Sequence, residues 1–326
     1  MEYKNILIDV RGGTGKNFAL CSICEELKQK YEHVSIISPY VDIFQSSAFV
    51  DKAYQPQEVR SAIEDAADDT FIVVDHIYDT NEFIRKEISY QDAFRVACGL
   101  EKKNEKGGSE ATSNLIPLKN FGWLKTHIDN IMKQIKDAGY ENFIIVQFTG
   151  GQSPLVQVPT NEKGEQDWGK VPYQGQQSGL SRHYPIDKAA EFCNLFSEAH
   201  PKTAIINYNL PNEYRIDKTF QFVVPYLTYY ELAKLPECLG TVSIDSSLQH
   251  MVAGVTKSVV IWGHSHPDSF GYKYNKNIIQ PCKRDGIKYF SALGPAANRI
   301  DYIEPNDLLA ETENYLFEKE KSDAEN

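Results

Sequence analysis

Short apolar runs alternate along the chain with stretches whose apolar residues recur at helical spacing. Residues 4 to 10 read as a strand, followed by the loop Arg11-Gly12-Gly13-Thr14-Gly15-Lys16 and a helix over Asn17–Tyr31, with Phe18, Cys21, Cys24 and Leu27 on one face. His33–Ser38 and Phe71–Asp75 are the next predicted strands, and Trp123–Ala138 is a helix. A second series starts after Gly139–Asn142: strand Phe143–Phe148, a helix opened by Pro185 and running to His200, and strand Thr203–Asn207. Val242–Trp262 supplies two more strands around a helix. Alternation of this kind signals a parallel, doubly wound α/β sheet. The pattern predicts two Rossmann-like βαβ domains, 1–140 and 141–304, facing a central cleft. A closing helix over 305–320 and a disordered charged tail over 321–326 follow. Two polar stretches interrupt the pattern: 101–113, and 152–181 with a hairpin turn expected at Asn161-Glu162-Lys163-Gly164.

Two polar loops stand where strands should end. Asp245-Ser246-Ser247 runs into the helix carrying His250, and Gly263-His264-Ser265-His266-Pro267-Asp268 follows the apolar strand Ser258–Trp262. Open α/β sheets bind ligands at the carboxyl ends of their strands, and helix starts offer unpaired N–H groups to phosphates. The second half therefore points to a nucleotide or nucleotide-sugar site. The plainer reading is that Asp245-Ser246-Ser247 caps a helix.

Composition narrows the classes. With 326 residues and 41% hydrophobic residues, two cores are affordable. A net charge of -11 argues against a general nucleic-acid coat, although the lysines between 102 and 136 form a locally basic stretch. A nucleic-acid acceptor is left open as the lesser alternative. No signal peptide opens the chain and no apolar run approaches roughly 18 residues, so a cytoplasmic protein without a transmembrane segment is expected. The six cysteines are dispersed, and Cys21-x-x-Cys24 has no second pair to complete a zinc site. No metal or cofactor is expected.

The second half resembles the ADP-heptose:lipopolysaccharide heptosyltransferases, glycosyltransferases of the GT-B fold. The resemblance rests on Ile244-Asp245-Ser246-Ser247-Leu248-Gln249-His250-Met251-Val252-Ala253 and on Trp262-Gly263-His264-Ser265-His266-Pro267 with Gly271. Arg182-His183-Tyr184-Pro185 with Phe192, Pro211-Asn212-Glu213, Thr228–Ala233 and Asn298–Leu316 extend it outward, over about 142–317. It implies transfer of a sugar from a nucleoside diphosphate sugar to a hydroxyl of a glycan, lipid-linked glycan or other phosphate-bearing acceptor, without a metal. Ser246, Ser247 and Leu248 would offer N–H groups to the diphosphate. Arg182 would be its cation, Glu213 would accept from ribose hydroxyls and Asp245 from sugar or ribose hydroxyls, and His250 would orient the loop or touch the phosphate. His264 and His266 form the second donor loop.

The first half departs from the family, which carries Gly-Asp in the first loop with the Asp as general base. Gly15-Lys16 stands there instead. The base must lie elsewhere, and Asp9, Asp75 and His76 are candidates at predicted strand ends. Gly13, Gly15 and Lys16 would bind a phosphate or the acceptor. The same loop resembles the deviant Walker A motif of partition-type ATPases, with Asn17 in place of the Mg²⁺-binding Ser/Thr. A P-loop ATPase, and a GT-B scaffold that binds a nucleotide sugar without transferring it, are the alternatives.

Overall fold

The structure is a computed structural model that describes residues 4–66, 70–103, 122–150, 183–209, 215–263, 265–280 and 300–317. Arg182, Glu213, His264 and the expected 152–181 hairpin lie outside these residues. The chain divides into two compact units. The first comprises Met1–Trp123, His266–Tyr274 and Gly286–Leu293, and the second Leu124–Ser265, Asn275–Asp285 and Gly294–Asn326.

The first unit begins β1 (Asn5–Asp9), α1 (Thr14–Cys21), α2 (Cys24–Lys30), β2 (His33–Ile37), α3 (Val41–Gln45), β3 (Lys52–Tyr54), α4 (Val59–Asp65), β4 (Thr70–Val73), α5 (Asn81–Ile84) and α6 (Tyr90–Ala97). Its strands are parallel in the order β3-β2-β1-β4. β1 is central and buried along nearly its whole length, as expected of a parallel strand covered on both faces. The helix predicted over Asn17–Tyr31 starts earlier, at Thr14, and breaks at Ser22-Ile23. The break has a chemical cause. The buried Ser22 hydroxyl donates to Ala19 O at 2.6 Å and accepts from Gln91 Nε2 at 2.7 Å, so the side chain competes with the helical ladder. Tyr78, Phe83, Tyr90, Phe94 and Phe270 form a chain of ring contacts with centroids 5.0–6.1 Å apart. Phe270 ends the short α11 (Pro267–Phe270), which packs with this unit although its neighbours in the chain belong to the second.

The second unit contains α7 (Lys125–Asp137), β5 (Asn142–Gln147), α8 (Ile186–Ala199), β6 (Thr203–Asn207), α9 (Leu227–Ala233), β7 (Cys238–Ile244), α10 (Ser247–Val252), β8 (Ser258–Trp262), β9 (Lys276–Ile279) and α12 (Pro305–Leu316). Its five strands are parallel in the order β6-β5-β7-β8-β9. One face packs Ile144, Val146, Val242, Ile244, Val259 and Ile261 against Phe192, Phe196 of α8 and Leu308, Leu316 of α12. Among the described residues no helix is long and apolar enough to cross a membrane.

Burial raises the thiols of Cys98 and Cys193 to about 12. Both should therefore stay unmodified by iodoacetamide in the native chain at pH 8, read by peptide mapping. They should react only after denaturation, and native labelling of either would contradict their placement.

Candidate functional site

In each sheet the strand order reverses once. The reversal falls between β1 and β4 in the first unit and between β5 and β7 in the second. Such switch points open a crevice at the carboxyl ends of the strands, where open α/β sheets take their ligands. Among the described residues, Asp9, Lys16 and Asp75 lie at the first of these places, and Asp245, Ser246, Ser247 and His250 at the second.

At the switch point of the second unit, Gln147 ends β5 and Asp245-Ser246 follows β7. The buried Gln147 side chain accepts from the Ser246 hydroxyl and, at 3.1 Å, from the Leu248 N–H. The Leu248 N–H, expected to face a diphosphate, is thus taken by an amide oxygen of the neighbouring strand. Ser246 is the N-cap residue of α10 but does not cap it with its own side chain. Ser247 Oγ lies 3.5 Å from the Tyr208 hydroxyl at the end of β6. Gly150 approaches so closely that a Cβ there would stand 3.0 Å from Ser246 Cβ and 3.1 Å from Ile244 Cδ1. Its N–H donates to His183 Nδ1 at 3.2 Å, which ties the loop after β5 to the residue next to Arg182.

Asp245 is a buried hub. One carboxylate oxygen accepts from Gln249 Nε2, with His250 Nε2 3.7 Å away, and the other accepts from the Ser265 hydroxyl. The carboxylate thereby joins the loop after β7 to the loop after β8. This makes Asp245 the brace of the site. His266, in the same second loop, accepts from the Asp268 N–H through Nδ1 at 3.2 Å, and burial lowers its pKa.

At the switch point of the first unit, Gly12 adopts φ +103°, which turns the chain sharply into α1 and lets Lys16 Cδ pass 3.2 Å from where a Cβ would be. The Lys16 ammonium donates to Asp75 Oδ1 at 3.0 Å and sits 5.2 Å from the Tyr78 ring centroid. Arg11 clasps Asp9 with Nε and Nη2, the latter at 2.8 Å, and its backbone N–H donates to Asp75 Oδ1 at 3.0 Å. α1 begins before Gly15-Lys16, and the N–H groups of Lys16 and Asn17 already donate to Gly13 O. A Walker-type loop needs such N–H groups turned toward phosphate, and here these two are engaged. Asn17, at the Mg²⁺-ligand position, bonds Gly13 O and the Ser38 hydroxyl through its amide.

Two further expectations bear on substrate. Four of the described lysines of the basic stretch are paired: Lys103 with Glu26, Lys125 with Asp129, Lys133 with Asp137 and Lys136 with Glu237. Among the described residues no group of three or more His, Cys, Asp or Glu side chains could hold a metal ion.

Gln147, Gln249, Ser265 and Arg11 were not among the candidate site residues. A polar residue ending the run Phe143–Val146 is the one signal that marks Gln147, and Gln249 is four residues from Asp245 on one helix face. Nothing in the sequence marks Ser265 as the partner of Asp245. Gln147→Leu should leave the buried Leu248 N–H and Ser246 hydroxyl without an acceptor, at about 1–3 kcal/mol. Urea unfolding reads the loss, and an unchanged midpoint would contradict the arrangement.

No protein-family model and no curated protein matches the sequence. Solved structures are similar to it along nearly its whole length. One is a glycosyl transferase family 9 protein from Veillonella parvula, at TM-score 0.64 and 11% identity, with 98% of this chain and 99% of that one covered. A second is the ADP-heptose LPS heptosyltransferase II of E. coli, at TM-score 0.57 and 12% identity, covering 96% and 98%. A third is the iron-containing dodecameric glycosyltransferase TibC from enterotoxigenic E. coli, at TM-score 0.53 and 9% identity, covering 95% of this chain and 73% of that one. At such identities the likeness is one of fold: the chain has the two-sheet, Rossmann-like α/β fold of the GT-B glycosyltransferases.

Proposed function

We propose that the protein is a metal-independent glycosyltransferase. It takes a sugar from a nucleoside diphosphate sugar held at the strand ends of the second unit and passes it to an acceptor hydroxyl bound at the strand ends of the first. The observation that carries this reading is the braced switch point, where Gln147, Asp245 and Ser265 tie three strand-end loops together. A diphosphate leaving group develops charge as its bond to the sugar breaks, and pre-set donors at that spot are the main catalytic requirement. Arg182, one residue before the His183 that binds the Gly150 loop, supplies the cation in this reading. The fold neighbours include a protein described by its ADP-heptose donor, which makes ADP-heptose the first probe. The acceptor is a glycan, lipid-linked glycan or other phosphate-bearing hydroxyl compound.

A thermal-shift panel of nucleotide sugars in EDTA, against ATP with Mg²⁺, tests the reading. A nucleotide sugar at a hundredfold excess over its Kd should stabilise the protein by about 2.7 kcal/mol. Stabilisation by Mg-ATP alone would sink the glycosyltransferase in favour of the P-loop ATPase. Stabilisation by a nucleotide sugar only when a divalent metal is added would remove the metal independence. Binding with no turnover on any acceptor would leave a non-catalytic scaffold.

A further inference from the structure

The glycosyltransferase reading requires a general base, and the first unit presents two carboxylates at the ends of adjacent strands. Their surroundings differ. Asp9, with its side chain 10% exposed, has both oxygens clasped by the Arg11 guanidinium. A bidentate pair of this kind is a rigid structural clamp, with its lone pairs committed. Asp75, with its side chain 33% exposed, is held through one oxygen only. Oδ1 accepts from the Lys16 ammonium and from the Arg11 N–H, both at 3.0 Å. No hydrogen bond from a described residue reaches Oδ2. Lys16 is itself fixed: its side chain is 6% exposed, its stem passes over Gly12 and its ammonium lies against Tyr78. His76, the third candidate, is 84% exposed on its side chain and leans on Asp79 at 3.2 Å.

Resting on that reading, we propose that Asp75 is the general base of the transfer, that Lys16 is its positioning residue, and that Asp9 serves only to hold Arg11. A base needs one oxygen anchored and the other open to the substrate, and Asp75 has that arrangement. In the step, the acceptor O–H bond breaks and its proton passes to Asp75 Oδ2. The freed oxygen pair forms the bond to the anomeric carbon. The bond from that carbon to the diphosphate breaks, and its electron pair leaves with the nucleoside diphosphate. Asp75 then returns the proton to water. The lysine that interrupts the glycine loop thus supports a carboxylate supplied by the next strand.

The positioning role has its own signature. Burial lowers the pKa of Lys16 below 10.5, while the Asp75, Asp79 and Asp9 carboxylates pull it back up. The Asp75 carbonyl oxygen, 3.3 Å from the ammonium, and the Tyr78 ring complete its surroundings. Lys16 therefore loses its proton, and Asp75 the charged one of its two anchors, at a lower pH than a free lysine would. An arginine in its place stays charged throughout.

The test uses the full chain and ADP-heptose, with water as the acceptor. ADP release is followed by coupled assay, and ADP affinity by calorimetry. Asp75→Asn should slow release about 10²–10⁴-fold with ADP affinity unchanged, whereas Asp9→Asn should keep release within about tenfold of wild type. Lys16→Arg should lose the alkaline limb of the wild-type kcat/KM profile, whatever its rate at neutral pH, and it carries the test should Asp75→Asn not fold. Wild-type release by Asp75→Asn, a larger loss in Asp9→Asn, or an alkaline limb unmoved in Lys16→Arg overturns the assignment and leaves the donor reading intact. So does a wild type that binds ADP-heptose and releases nothing. A wild type that binds no nucleotide sugar at all instead overturns the glycosyltransferase reading on which the assignment rests.

Discussion

Asp245→Ala is expected to weaken binding of the nucleoside diphosphate sugar at least about 100-fold and to destabilise the second unit by about 3 kcal/mol. The carboxylate is buried, and its removal takes an acceptor from the Gln249 amide and from the Ser265 hydroxyl and removes the carboxylate 3.7 Å from His250. A buried donor without an acceptor loses its hydration and gains nothing in return. The loops after β7 and β8 lose their common attachment, so the ligand must then order them itself, which costs affinity. Asp245→Asn keeps one acceptor oxygen and should fall between the two. Calorimetry with ADP-heptose and urea unfolding read the two effects together. Wild-type affinity in Asp245→Ala would show that the brace has no part in binding.

The second large effect lies away from the site. The Arg95 side chain is 1% exposed and bridges Asp92, whose side chain is fully buried, at 2.7 Å and Glu26 at 2.9 Å. Asp92 also accepts from the Lys103 N–H at 2.9 Å, which ties the chain leaving α6 back to that helix. Arg95→Met removes the buried cation that both carboxylates share, leaving Glu26 to Lys103 and Asp92 to neutral donors, and should cost about 3–5 kcal/mol. The pH dependence carries a sign. Burial pushes the Glu26 carboxyl up, but Arg95 and Lys103 outweigh it and hold it below 4.5. A carboxyl held low stabilises the fold fully above its unfolded-chain pKa, about 4.3. That contribution disappears as pH falls through the lower folded value. Arg95→Met should therefore flatten the loss of stability below about pH 4, seen in urea midpoints across pH. A variant as stable as wild type at pH 7 would contradict the network.

Much of the fold is legible in the sequence because parallel strands buried on both faces are written as unbroken apolar runs. Thr203–Asn207 and Ser258–Trp262 stand where the sequence places them. The edge strands β3 and β9 escaped notice because Lys52–Tyr54 and Lys276–Ile279 are short, half-polar and only partly buried. The break in the first helix escaped for a different reason. Cys21 and Cys24 keep helical spacing across it, and the side chain that opens it, Ser22, is held by Gln91, distant in sequence.

The candidate site was legible as a place and less so as a mechanism. Polar residues at strand ends mark where a ligand binds. Which polar groups bind each other depends on strand order, which periodicity does not carry. Gln147 reaches Leu248 because β5 and β7 are neighbours across the switch point. In the same way, Asp75 meets Lys16 because β4 lies beside β1. Lys16 looked like the loss of a catalytic carboxylate, and only the neighbouring strand reveals the carboxylate it holds.

The most direct measurement is hydrogen exchange on the full chain with saturating ADP-heptose in EDTA. Ligand bound at the braced switch point should protect the amides of Asp245–His250 and of Gln147–Gly150, and leave those of Gly12–Asn17 at their ligand-free rates. Protection confined to Gly12–Asn17, with Asp245–His250 unchanged, would contradict the account and place the nucleotide on the glycine loop.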